Sequence, residues 1–372
     1  MQIQTLWIVS ELFYPDETST AYIMGELANA FASKYKVKVI CGPEQYDKRK
    51  SIDKNNAFVL DSSIEVFRTE GTPFDKNTSI GKALNLFLMT RRLIKLVSSK
   101  IKQGDKVLMV TNPAPMILQM SKLKKKLGFE LNVLVHDVFP ENTIPAGIKL
   151  PGYGFIKGLF DKAFSRADQF IVLGRDMENV VRQKVSSYIS SPRVSVVENW
   201  ADIESIYPQL PPEGKLILQY AGNIGRVQGL EQIVEQLPDN LELHFYGTGA
   251  MENKLKSLNK QNVVFHGPYF RSQQNEILAH CHAAIVTLQE GMYGLGVPSK
   301  TYNILASGRP IIYFGPSESE VELLIKEEGI GYCGWPDQWD RELLVEMGKR
   351  ARCVAENRYS KERILDRFLG II

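Results

Sequence analysis

The chain has 372 residues, 44% hydrophobic and 23% charged, with a formal net charge of +3, a balance that argues against disordered, fibrous and nucleic-acid-binding polycation classes. Its length predicts two domains. Four scattered cysteines, Cys41, Cys281, Cys333 and Cys353, form no CxxC pair, which argues against a zinc knuckle or a disulfide framework and predicts a reducing compartment, the cytoplasm.

No apolar run approaches the roughly 20 residues that span a bilayer, and Met1 leads straight into a strand-like segment without a signal-peptide pattern. A soluble or peripheral protein is expected. Thr5 to Val9, an amphipathic stretch from Thr20 to Ser33 and the strand Lys36 to Ile40 read as a βαβ unit. Its first loop lacks GxGxxG, so a dinucleotide fingerprint is unsupported; Thr18, Ser19 and Thr20 at the helix start either donate to an anion or cap the helix. Two basic clusters follow, Arg91, Arg92, Lys95, Lys100 and Lys102, then Lys122 and Lys124 to Lys126. They read as solvated helix faces or as a surface for anionic lipid.

Strand Leu131 to Val135 runs into His136 and Asp137, at the strand end where open α/β sheets bind ligands. The pair reads as an acid–base couple, a sugar-hydroxyl contact or hydrogen-bonded loop residues. The segment Asn142 to Gly158, rich in glycine and proline, reads as a lid or an acceptor-side surface. A linker is expected near Glu198 to Pro212, with domains over 1–200 and 201–357 and a terminal helix over 358–372.

The second half repeats the alternation, and three glycine-bearing loops follow its strands: Gly222 to Gly229, Gly247 to Gly249, and Gly294 to Pro310. Gly222, Gly225 and Gly247 permit close backbone approach. Arg226 supplies a forked cation and Gln228 a neutral donor. In the third loop Pro298, Ser299 and Lys300 open a helix, so backbone N–H groups and an ammonium can converge on an anion. Together these loops predict a diphosphate site. Ser319 before the next helix, with Glu320 and Glu322, reads either as further phosphate and ribose contacts or as a capped acidic first turn. The loop Gly267 to Arg271 offers aromatic cover for a base, or core residues.

The segments YAGNIGRVQGLE, HDVFP, VVENWAD and GVPSKTYNILASGRP, in their order along the chain, resemble the bacterial family-4 retaining glycosyltransferases of the GT-B fold, nearest the group that builds capsule, colanic-acid and O-antigen chains. The resemblance implies an α/β protein of two Rossmann-like domains around a deep cleft, the nucleotide sugar held by the C-terminal domain and the acceptor by the N-terminal one, with the last helix crossing back. It implies catalytic roles for His136, Arg226 and Lys300. Donor contacts would come from Gly222, Asn223, Gly225, Gln228, Gly247, Ser299, Asn303, Ser319, Glu320 and Glu322, and acceptor-side contacts from Thr18, Ser19, Thr20 and Asp137.

Two departures stand out. Where many relatives carry a pair of glutamates, this chain has Asn303 and Leu295, and where a lysine is common it has Gln228. The expected substrates are a nucleotide sugar, UDP-linked, and a lipid-linked glycan acceptor, without cofactor, metal or nucleic acid; an Asp-x-Asp metal motif is absent. A GT-B epimerase and a non-catalytic sugar-nucleotide-binding protein are the competing readings.

Overall fold

A computed structural model describes residues 4–45, 58–74, 78–189 and 192–372. The first sheet is built from β1 (Thr5–Ser10), β2 (Lys36–Cys41), β3 (Glu65–Arg68), β4 (Lys106–Val110), β5 (Glu130–Val135), β6 (Gln169–Val172) and β7 (Arg193–Val196). Its helices are α1 (Ser19–Ala32), α2 (Ser79–Lys100), α3 (Met116–Leu127), α4 (Tyr153–Phe164) and α5 (Arg175–Val185). The strands are parallel, in the order β3-β2-β1-β4-β5-β6-β7. Their near-continuous apolar runs suit a sheet covered on both faces: Val107 to Val110 and Leu131 to Val135 are all buried.

The second sheet repeats the plan with β8 (Leu216–Ala221), β9 (Leu241–Tyr246), β10 (Val263–Gly267), β11 (Ala283–Thr287), β12 (Ile311–Phe314) and β13 (Gly331–Cys333), in the order β10-β9-β8-β11-β12-β13. Its helices are α6 (Leu230–Glu235), α7 (Glu252–Ser257), α8 (Gln274–Ala279), α9 (Lys300–Ala306) and α10 (Glu320–Glu328). In each sheet the chain starts at the centre, runs to one edge, then returns to the other side of the first strand. That reversal makes a crevice at the strands' C-terminal ends.

The chain then returns through α11 (Arg341–Arg358), packed along α9, to α12 (Lys361–Ile371), which lies on α1 of the first domain. Ile364 and Phe368 are buried there, a gain of about 2 kcal/mol each by the usual area relation. The Lys361–Glu26 pair at 2.9 Å and the Tyr35 hydroxyl donating to the Ile372 carbonyl at 2.8 Å fix the register. The terminal helix thus ties the domains together behind the cleft. At its rim the Val138 N–H donates to the Leu295 carbonyl at 3.1 Å. Arg175 at the start of α5 bonds Glu320 at 3.0 Å and Glu327 at 2.6 Å on α10. Among the described residues no helix is long and apolar enough to cross a membrane.

Candidate active site

A cleft of about 400 Å3 lies between the domains, at the C-terminal ends of both sheets. From the first domain it is walled by Ser19 and Thr20 of α1 and by His136 and Asp137 after β5. From the second come Gly222 and Asn223 after β8, Gln228, and Ser299, Lys300 and Asn303 around the start of α9.

Lys300 dominates the wall supplied by the second domain. Its Nζ lies 3.6 Å from the centre of the Tyr220 ring and has no hydrogen-bond or ion-pair partner among the described residues. The tyrosine face holds the cation; the surrounding protein desolvates it and pulls its pKa down to about 7. Gly222 explains how the ammonium fits: φ is +140°, and a Cβ there would stand 2.9 Å from Nζ. Gly225 makes similar room, since a Cβ on it would meet Gln228 Oε1 at 2.6 Å and Asn223 Nδ2 at 2.7 Å. Two neutral amides therefore meet at Gly225, and both line the cleft that Lys300 lines. Gln228 Oε1 is buried without a partner. Because α9 has only seven residues, its helix dipole adds little to the charge that Lys300 supplies.

Facing this wall, the His136 N–H donates to Thr111 Oγ1 at 3.1 Å, and His136 Nδ1 lies 3.2 Å from Thr20 Oγ1. The other ring nitrogen, Nε2, is buried and unpaired. Burial lowers the His136 pKa to about 4, so the ring is neutral at neutral pH. Asp137 is open to solvent within the cleft, yet the protein around it pushes its carboxyl above the ordinary range. Its N–H also donates to Thr111 Oγ1, at 3.2 Å.

The structure thus brings together His136, Asp137, Ser19, Thr20, Gly222, Asn223, Gln228, Ser299, Lys300 and Asn303. Several expected residues fall elsewhere. Arg226 is exposed on a separate depression beside α6, because Arg226–Gln228 is a single 3-10 turn whose residues two apart point in different directions; Gln228 faces the cleft and Arg226 faces out. Gly225 borders the same depression. Thr18 is the N-cap of α1, accepting from the Ala21 N–H at 3.3 Å.

Gly247 serves backbone packing, since a Cβ there would lie 2.0 Å from the Gly222 carbonyl oxygen. Ser319 is buried with its hydroxyl 2.7 Å from the Tyr313 hydroxyl. Glu322 turns back to accept from the Glu318 N–H at 2.6 Å, and Glu320 is occupied by Arg175 across the domain boundary. None of these three carboxylate or hydroxyl groups lines the cleft. Asn303 does, but its amide is engaged: Oδ1 accepts from the Asp202 N–H at 3.0 Å, and Nδ2 donates to Asp202 Oδ2 at 3.2 Å and to Gln274 Oε1 at 3.0 Å. Neither N–H is left for a ribose hydroxyl.

Sequence reasoning missed Tyr220, Thr111 and the linker residues Asn199, Trp200 and Asp202, of which all but Thr111 line the cleft. The aromatic Tyr220 near the end of a strand whose other residues are aliphatic save Gln219 was the one available signal. Among the described residues no group of three or more His, Cys, Asp or Glu side chains is placed to hold a metal ion.

No protein-family profile matches the chain. A Pseudomonas aeruginosa protein that carries the name probable glycosyltransferase WbjE is 32% identical, over 80% of this chain and 82% of its own length. An Escherichia coli (strain K12) protein bearing the name colanic acid biosynthesis glycosyl transferase WcaI is 23% identical over 97% of both. Among solved structures, the sucrose-phosphate synthase of Thermosynechococcus elongatus superposes with a TM-score of 0.76 at 14% identity, covering 99% of this chain and 98% of that one. The two sheets, the facing crevices and the returning helix are those of that fold. The chain belongs to the bacterial family-4 glycosyltransferases of the GT-B fold, in the group that includes the colanic-acid and lipopolysaccharide enzymes.

Proposed function

We propose that the protein transfers a sugar from a nucleoside diphosphate sugar, UDP-linked, to a hydroxyl of a lipid-linked or growing surface glycan, with retention of anomeric configuration. The observation that carries this reading is the unpaired Lys300 ammonium facing the unpaired His136 Nε2 across one cleft. A diphosphate leaving group gains charge as its bond to the sugar breaks, and a preorganised cation in a desolvated site lowers that barrier most effectively. Lys300 meets the diphosphate, helped by the amides of Asn223 and Gln228. Neutral His136 holds a sugar or acceptor hydroxyl. The departing phosphate oxygen takes the acceptor proton, so bond formation and cleavage occur on one face of the sugar.

The acceptor arrives from a lipid surface. On α2 the exposed stripe Ile80, Leu84 and Phe87 continues into Arg91 and Lys95, and α2 contains no acidic residue. Ile144, Ile148, Phe155 and Leu159, before and within α4, are exposed as well. Both helices start at the strand ends where the cleft opens. An apolar ridge beside cations suits an anionic bilayer.

A panel of nucleotide sugars, read first by thermal shift and then by transfer to lipid-linked acceptors, tests the reading. Lys300→Ala is expected to lose at least ~100-fold in kcat/KM, whereas Arg226→Ala, outside the cleft, loses less than about tenfold. Equal turnover by the wild type and the Lys300 variant would overturn the reading.

A further inference from the structure

The buried carboxylate of Asp202, 8% exposed, stands where the two domains and the linker meet. It accepts from Tyr22 of α1 at 2.7 Å and from the Trp200 indole N–H at 3.2 Å on one oxygen, and from Asn303 Nδ2 at 3.2 Å and Arg271 on the other. Its own N–H returns to Asn303 Oδ1 at 3.0 Å, closing a ring between linker and helix. The Arg271 guanidinium also lies 3.4 Å over the centre of the Tyr22 ring. Four donors meet one carboxylate, two from the linker and first domain and two from the second domain.

The partners sit close to the reacting groups along their own helices. Asn303 is one turn from Lys300 on α9, so fixing its amide fixes the rotation of that short helix and the aim of the ammonium. Tyr22 is two residues from Thr20 on α1, whose hydroxyl meets His136 Nδ1. A neutral amide at 303 is what this arrangement requires, since a second carboxylate 3.2 Å from Asp202 would repel it.

We propose that Asp202 is a positioning residue that, by gripping Tyr22 and Asn303 together, sets Lys300 on one domain against His136 on the other. The proposal rests on the glycosyl-transfer reading above. Small misplacements of groups that meet only in the transition state lower turnover more than binding.

Asp202→Asn preserves shape and removes the charge. With UDP-sugars as probes it is expected to lower kcat by ~100-fold while KM stays within about threefold. Tyr22→Phe, which keeps the ring beneath Arg271, is expected to lower kcat by ~3–10-fold and serves where Asp202→Asn fails to fold. Asn303→Asp alone should lose activity through carboxylate repulsion, and the exchange variant Asp202→Asn with Asn303→Asp should recover at least about tenfold over the weaker single variant.

Amide hydrogen exchange gives a readout independent of turnover: in Asp202→Asn or Tyr22→Phe, protection should fall in α1 and α9 together. A kcat near wild type in both variants, an exchange variant no better than the weaker single, or protection lost in only one helix would overturn the proposal. Failure of the wild type to use any nucleotide sugar would overturn the functional reading instead, and the exchange measurement would still decide whether the clasp couples the helices.

Discussion

Replacing Lys300 by Met should weaken nucleotide binding and at the same time stabilise the empty protein. A lysine ammonium moved from its ordinary 10.5 to about 7 by desolvation is held against a free-energy cost, roughly 5 kcal/mol at about 1.4 kcal/mol per tenfold change in proton affinity. The group keeps part of its solvent and gains from the Tyr220 face, so a net cost of about 2 kcal/mol is expected. The sign follows from proton linkage: the folded state binds the proton more weakly than the unfolded one, so the cost is complete below about pH 7 and fades as pH rises toward 10.5. At pH 6, Lys300→Met should therefore raise Tm by about 2–4 °C, and the difference should shrink at pH 9. Calorimetry with UDP on the same samples should show affinity reduced by at least ~100-fold. A variant less stable than wild type at pH 6 that still binds UDP normally would refute the desolvated-cation argument.

The same shift sets the alkaline limb of the pH profile of the unmodified enzyme: UDP affinity should weaken by up to ~tenfold per pH unit above about pH 7, measured by calorimetry. Thr20→Val removes the hydroxyl beside His136 Nδ1 and should lower kcat by ~10-fold, with Thr20→Ser restoring most of it. Co-sedimentation with vesicles containing anionic lipid should fall at least about fivefold for Ile80→Asp combined with Phe87→Asp, more than for Lys125→Glu combined with Lys126→Glu, because only the first pair removes the inserting ridge. Arg175→Ala breaks the pairs to Glu320 and Glu327 and leaves the buried Glu320 carboxylate without its cation; a loss of about 2–3 kcal/mol in thermal unfolding is expected.

The fold was legible because its determinants are local. Runs such as Val107 to Val110, and Leu131 to Val135 interrupted only by Asn132, are nearly continuously apolar, as suits strands covered on both faces, and the helices between them repeat at helical spacing. The position of Lys300 in the cleft was legible for a similar reason: it closely follows a glycine- and proline-bearing turn after a strand. Two of the misplaced residues meet partners distant in sequence. Glu320 meets Arg175, 145 residues away, and Asn303 meets Asp202, 101 residues away. Neither pairing leaves a trace in the composition of either segment. Arg226 failed differently, since its local sequence was read correctly as a loop, but the loop's tight turn decides which of two neighbouring polar side chains faces the cleft.

On the proposed glycosyl-transfer reading, that turn bears on how a site with few cations would stabilise a diphosphate. Arg226 on the outer surface is exposed, and at the high effective dielectric of a surface a unit charge 4 Å away is worth about 1–4 kcal/mol. The same charge with part of its water removed interacts more strongly, and its strength comes from the desolvation that lowers the Lys300 pKa. One partly buried ammonium in a cleft that neutral Asn223 and Gln228 also line therefore concentrates the field at one point instead of spreading it over the surface. The arrangement also gives selectivity for charge. A neutral ligand would leave Lys300 unpaired, whereas on the proposed glycosyl-transfer reading a donor diphosphate would supply its counter-ion, tying occupancy of the cleft to the leaving group.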